Sequence, residues 1–136
     1  MEAPTDGIDL TSLFKGQVPA ERSLYWYMPL YDLRWASTPA AIVRTGDWKL
    51  IHFFGDRFDH KGRYRPGAKS ELFNLRDDIG EKNDQSGQHP QRVAEMKREL
   101  LEWIQSTGAP VPGKNPHFDA RRALFETKEK PDWLRP

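Results

Sequence analysis

Apolar positions alternate along the first half of this chain and recur at helical spacing in one later stretch. Residues 22–28 (RSLYWYM) are rich in aromatics and read as a strand. Pro29 ends it, because proline has no N–H to give to a ladder. Residues 40–44 and 48–54 form the clearest strand pair, with Thr45, Gly46 and Asp47 between them. Gly46 at the first central position suits a type II′ turn, which needs a positive φ there. In the second strand Trp48, Leu50, His52 and Phe54 share one face, and Lys49, Ile51 and Phe53 the other. Apolar residues on both faces predict a strand in the middle of its sheet. Residues 70–75 (SELFNL) make a further short strand, with Leu72 and Asn74 opposite Glu71, Phe73 and Leu75. At residues 90–107 the period changes: Val93, Met96, Leu100 and Ile104, with Leu101 and Trp103 beside them, recur at helical spacing. Pro90 suits the first helical position and Gly108 the left-handed cap beyond the end. The helix must gain its stability by laying this stripe on the sheet.

Between these elements the pattern is weak. Ile8, Leu10, Leu13 and Phe14 suggest one helical turn, capped by Asp9 or Thr11 and ended by Gly16. Residues 55–69 have no apolar periodicity and are expected to form a long polar loop, either mobile or functional. Residues 109–116 (APVPGKNP) read as an extended connection. A short helix is expected around residues 120–126, with Phe118, Phe125 and Trp133 available to cover apolar surface.

Composition narrows the class. The chain has 136 residues, 37% hydrophobic and 12% aromatic, which suits one folded domain and excludes a disordered one. At this mass about two-thirds of the unfolded chain's surface is buried on folding, enough for a true core. Lys and Arg number 21 against 20 Asp and Glu, a balance unlike that of a dedicated nucleic-acid binder. There is no cysteine, so disulfides, thiolate metal sites and a cysteine nucleophile are excluded. No apolar run approaches the roughly 18 residues of a membrane-spanning helix. The pattern predicts an α+β domain, a sheet plus one helix.

Candidate chemistry is sparse. His52, His60, His89 and His117 lie in no nucleophilic motif. His52, mid-strand on an apolar face, reads as a satisfied sheet histidine. Asp77, Asp78, Glu81 and Asp84 fall in a turn region, where such side chains hydrogen-bond local backbone. Arg57, Arg63 and Arg65 are candidates for holding sulfate or phosphate, since the guanidinium fork matches such anions. The competing reading is a solvated hairpin tip. Tyr31, Arg34 and Trp35 follow the aromatic strand and suit a sugar-binding or anion-binding edge, or packing against a neighbouring domain.

Taken in order, several runs resemble one known family. They are DGIDLTSLFKGQ at residues 6–17, LYWYMPLY at 24–31, AIVRTGDWKLIHFF at 41–54, ELFNLRDDIGEKND at 71–84, VAEMKRELLEWIQSTGAPVP at 93–112 and NPHFD at 115–119. Together they resemble the C-terminal region of the type I, arylsulfatase-like sulfatases over most of the chain. The resemblance implies a four-stranded antiparallel sheet with an amphipathic helix packed on one face, spanning residues 1–119. Residues 1–17 would then be the join to a catalytic domain, and 120–136 a tail. It implies that a separate N-terminal α/β domain is the partner. That domain would carry the formylglycine, made from a C/S-x-P-x-R motif, and the calcium ion. The present chain has no such motif; Ser37, Thr38, Pro39, Ala40 and Ala41 lack its arginine. The chain alone is therefore expected to be inactive, with no cofactor of its own. A sulfated small molecule or glycan would be the substrate of the whole enzyme, and extracellular or periplasmic residence would follow.

Related sulfatases often read W-H-x-P-H-Y where this chain has Trp26, Tyr27, Met28, Pro29, Leu30 and Tyr31. Tyr27 and Leu30 stand at the two histidine positions. The resemblance turns this segment toward the substrate, through Tyr27, Tyr31, Arg34 and Trp35. Two other readings compete: a stand-alone module binding anionic glycans, and an oligomerisation domain that self-associates through an exposed sheet face.

Overall fold

The computed structural model describes residues 7–18, 20–31, 37–59, 63–113 and 115–117. Its elements run α1 (Thr11–Phe14), β1 (Ser23–Met28), β2 (Ala40–Thr45), β3 (Trp48–Phe53), β4 (Arg57–Phe58), β5 (Tyr64–Arg65), β6 (Lys69–Asn74) and α2 (Pro90–Ser106). Strands β1, β2, β3 and β6 form one antiparallel sheet in that order, so β3 is interior, as its two apolar faces predict. Helix α2 packs on β2, β3 and β6. The fold is α+β, a four-stranded antiparallel sheet with a C-terminal helix on one face. The expected short helix around residues 120–126, with Phe118, Phe125 and Trp133, lies outside the described residues, as do Arg34, Trp35, His60 and Lys61.

The β2–β3 register pairs Thr45 with Trp48 and leaves Gly46 and Asp47 as a two-residue turn. Gly46 has φ +57°. Glu81 is the only non-glycine with positive φ among the described residues, so Asp47 does not share it, and the turn is of the expected II′ kind. A side chain at position 46 would also run into the Glu21 carboxylate, with the nearest oxygen 2.5 Å from a Cβ.

Ala41, Val43, Leu50, Leu72, Met96, Leu100 and Ile104 form the buried cluster. Met96, Leu100 and Ile104 stand four residues apart, one row on the sheet-facing side of α2. Each fully buried leucine contributes about 1.5–3 kcal/mol relative to an exposed one. No side chain caps the helix start at His89, so packing, not capping, sustains α2. Gly108, with φ +70°, follows its last turn in the left-handed conformation expected there.

Two expectations need correction. The N-cap of α1 is Leu10 and carries no side-chain cap bond; Asp9 instead accepts a hydrogen bond from the Thr11 N–H at 2.8 Å. The polar stretch at 55–69 is not an irregular loop, because β4 and β5 pair within it as a small ribbon. Ionic bonds stand in for the missing apolar period. Asp59 accepts from the Arg63 amide at 3.0 Å and from the Arg63 and Arg65 guanidiniums at 2.9 and 3.0 Å. Asp56 accepts from the Gly67 amide at 2.8 Å.

Candidate functional site

The strand register sorts the sheet into two unlike faces. Tyr25, Val43, Leu50 and Leu72 are level with one another and point to α2. One step along, Trp26, Ile42 and Ile51 are level and point the other way, as do Leu24, Met28 and Phe53. No described helix covers this second face. Trp26 is 50% exposed and Met28 55%, and the strip runs on into Leu30 and Tyr31, both exposed. Phe73, at the β6 end, is buried there.

Charge borders this apolar surface on the β6 side and is neutralised within the chain. Lys49 pairs with Glu81 at 2.6 Å. Arg57 lies 5.4 Å over the Phe53 ring and bonds Glu71 at 3.4 Å. Lys69 bonds Asp84 at 2.5 Å. The described charges along this border are thus paired within the chain, while Arg44, on the same face of β2, donates to the Gly46 carbonyl at 3.1 Å.

The outer edge of β6 is closed. Asp84 accepts from the Leu72 amide at 3.1 Å, and the Gln85 amide donates to the Leu72 carbonyl at 2.8 Å. Burial pushes the Asp84 carboxyl up, but hydrogen bonds from Lys69, Ser86 and Leu72 outweigh it and hold the group below the usual carboxylate range. Asp78 accepts from the Asn83 amide at 2.8 Å, chiefly through that bond lying below the range as well. These carboxylates thus serve the turn and the sheet edge, as the local-backbone reading expects.

The candidate side chains do not gather into one site. Tyr27 points to the helix side, packs edge-on against Phe54 with centroids 5.9 Å apart, and donates its hydroxyl to the Pro110 carbonyl. It faces away from its neighbours Trp26 and Met28. Tyr31 is exposed, with its hydroxyl against Gly55. Partial burial, then the Asp56 carboxylate, push that hydroxyl up. Arg57 is buried and turned to Glu71, whereas Arg63 and Arg65 converge on Asp59. The expected three-arginine cluster is therefore divided, since each guanidinium already holds a carboxylate. The apolar residues Trp26, Met28, Ile42, Ile51 and Phe53 were the surface that a search for polar chemistry passes over. The signal for it was present: β3 is apolar on both faces, and one helix covers only one.

His52 sits on the helix side, 6% exposed, with Nδ1 3.0 Å from the Ser70 hydroxyl and its ring 4.9 Å edge-on from Phe54. Burial first, and the nearby Lys97 ammonium second, lower its pKa to about 4. It is the satisfied sheet histidine that its position suggests.

The GDWKL and ELFNL-x-DD-x-GE-x-N runs, distant in sequence, meet in space. Asp47 takes an ion pair from Arg76, and its carbonyl accepts the Leu75 amide at 2.7 Å. Trp48 pairs in register with Asn74, and Lys49 reaches Glu81. Among the described residues no three His, Asp or Glu side chains are placed to hold a metal ion. No helix among them is long and apolar enough to cross a membrane. No protein-family model matches the chain, and no curated protein does.

Proposed function

We propose that this chain is the C-terminal subdomain of a sulfatase-type enzyme that hydrolyses aryl or sugar sulfate esters. In this reading it docks the open face of its sheet on the larger catalytic domain. The observation that carries the docking is the apolar strip of Leu24, Trp26, Met28, Ile42, Ile51 and Phe53, in which Trp26 and Met28 are exposed and the other four half-buried. Continuous apolar surface of this kind marks an interface, because leaving it in water forgoes the gain from burial. The sulfatase assignment rests on the residue runs, and the contacts between Asp47, Arg76, Lys49 and Glu81 give those runs a shared structural task.

The chain supplies cover and a wall, not chemistry. Tyr31, at the end of the apolar strip, is in this reading the residue that faces a sulfated substrate; Arg34 and Trp35, expected beside it, lie outside the described residues. Tyr27 holds the Pro110 segment instead, through its hydroxyl. Arg63 and Arg65 hold Asp59 within the ribbon, and Arg57 holds Glu71. Formylglycine and calcium belong to the partner domain. The described residues of this chain offer no fitting metal cluster, and its sequence no C/S-x-P-x-R run.

The test is an immunoblot of the source cells with an antibody to this chain, followed by assay of the captured product on p-nitrophenyl sulfate. The expected result is a band several times larger than 15.8 kDa that releases nitrophenol, while the isolated chain releases none. A band at 15.8 kDa with no larger chain bound to it would overturn the proposal. Hydrolysis by the isolated chain would do the same.

A further inference from the structure

We infer that His52 is a proton-sensitive latch on the helix-covered face of the sheet: the fold holds while the buried imidazole is neutral and loosens when the ring takes up a proton. The inference is independent of the sulfatase reading.

The geometry leaves a second positive charge no compensation. The ring is buried in the middle of the sheet, under the helix. On β2 its register partner is Ala41, and on β6 it is Ser70, both neutral. Along β3 its neighbour on the same face is Phe54. From α2 the charge it feels is Lys97. Lys69 and Glu71 flank Ser70, but strand alternation turns them to the open face, where they bond each other and Arg57. No described carboxylate bonds the ring. In the neutral ring, Nδ1 accepts from Ser70 or donates to it, according to tautomer. A protonated ring keeps only the donating form and adds a cation beside Lys97, out of water, which is costly without a partner.

The sign follows. The ring binds a proton less readily in the folded chain, at about 4, than at its ordinary 6.5. Stability is complete above pH 6.5 and falls as pH drops toward 4. The lowered carboxyls of Asp9, Asp78 and Asp84 begin to cost stability only below about pH 5, so the fall that starts near pH 6.5 belongs to His52. Ile51 and Phe53, on either side of His52, line the open face, so the strand that carries the latch also carries the docking surface.

Urea titrations of the purified chain, followed by tryptophan fluorescence between pH 7 and 4, test this. The wild type should lose about 100-fold in its folding equilibrium constant across that range. His52→Gln, which keeps a polar partner for Ser70 and does not titrate, should stay nearly flat. Lys97→Gln should show a smaller fall than the wild type. The inference is overturned if the wild type is flat, or if His52→Gln falls as steeply. Should His52→Gln fail to fold, NMR titration of the wild-type ring decides: a midpoint near 4 supports the latch, and one near 6.5 sinks it.

Discussion

Leu72 has no exposed surface and lies level with Leu50 across the β3–β6 ladder, in the cluster that α2 closes with Met96, Leu100 and Ile104. A void left there is not closed by moving the strand, since β6 is bonded to β3 on one side and, at Leu72, to Asp84 and Gln85 on the other. Leu72→Ala is expected to cost about 2–5 kcal/mol in urea unfolding. A loss under about 1 kcal/mol would mean that the helix does not seal this face. Position 73 shows how much one step matters. Phe73 is also buried, yet on the opposite face, beside Lys49 in the register. The two adjacent residues therefore serve different surfaces of the sheet.

Among the elements, α2 joins the edge strand β1 through a single aromatic pair. Tyr25 and Trp103 stack with centroids 4.7 Å apart and planes 7° from parallel, and the Tyr25 hydroxyl donates to Glu99. At the other end of the helix, Arg92 lies 4.7 Å over the Trp48 ring and His89 meets the same ring edge-on. Aromatic anchors thus hold both ends of α2, with the aliphatic row between them. A double-mutant cycle of Tyr25→Leu and Trp103→Leu, read by chemical denaturation, should give a coupling of about 0.5–1.5 kcal/mol. A coupling near zero would show that the stack adds nothing beyond area. The small ribbon is built differently. β4 and β5 depend on the Asp59 clamp of Arg63 and Arg65, an exposed ionic arrangement, and exposed ion pairs are individually weak.

For the whole molecule, the outstanding fact is asymmetry: among the described residues one face of the sheet is covered by α2, and the other carries no helix and exposes Trp26 and Met28. Trp26→Thr with Met28→Thr keeps β-branched residues in β1 while removing most of the exposed apolar area at that edge. The pair should change the stability of the isolated chain by less than about 1 kcal/mol. It should also abolish any self-association seen by sedimentation velocity. If the wild-type chain is a tight dimer and the variant a monomer, the oligomerisation reading displaces docking on a catalytic domain. If the variant instead unfolds, the face is part of this chain's own core. A proton at His52 acts at this scale too, because it bears on the seat of the one helix that seals the sheet.

Local rules determined much of this molecule. The four main strands, the helix from Pro90 and its buried row followed from period, and the positive φ at Gly46 from turn chemistry, because each depends on neighbours within a few residues. The ribbon at 57–65 was not legible, since the bonds to Asp59 that hold it follow no hydrophobic period. The candidate site was legible only in part. Tyr27, Tyr31, Arg57, Arg63 and Arg65 were chosen for their chemistry, but alternation and ion pairing sent them to different surfaces. Only the tertiary structure decided which face α2 would cover, and so which apolar residues stayed outside. Both faces of β3 carry burial's driving force; a single helix has one apolar stripe and can satisfy only one of them.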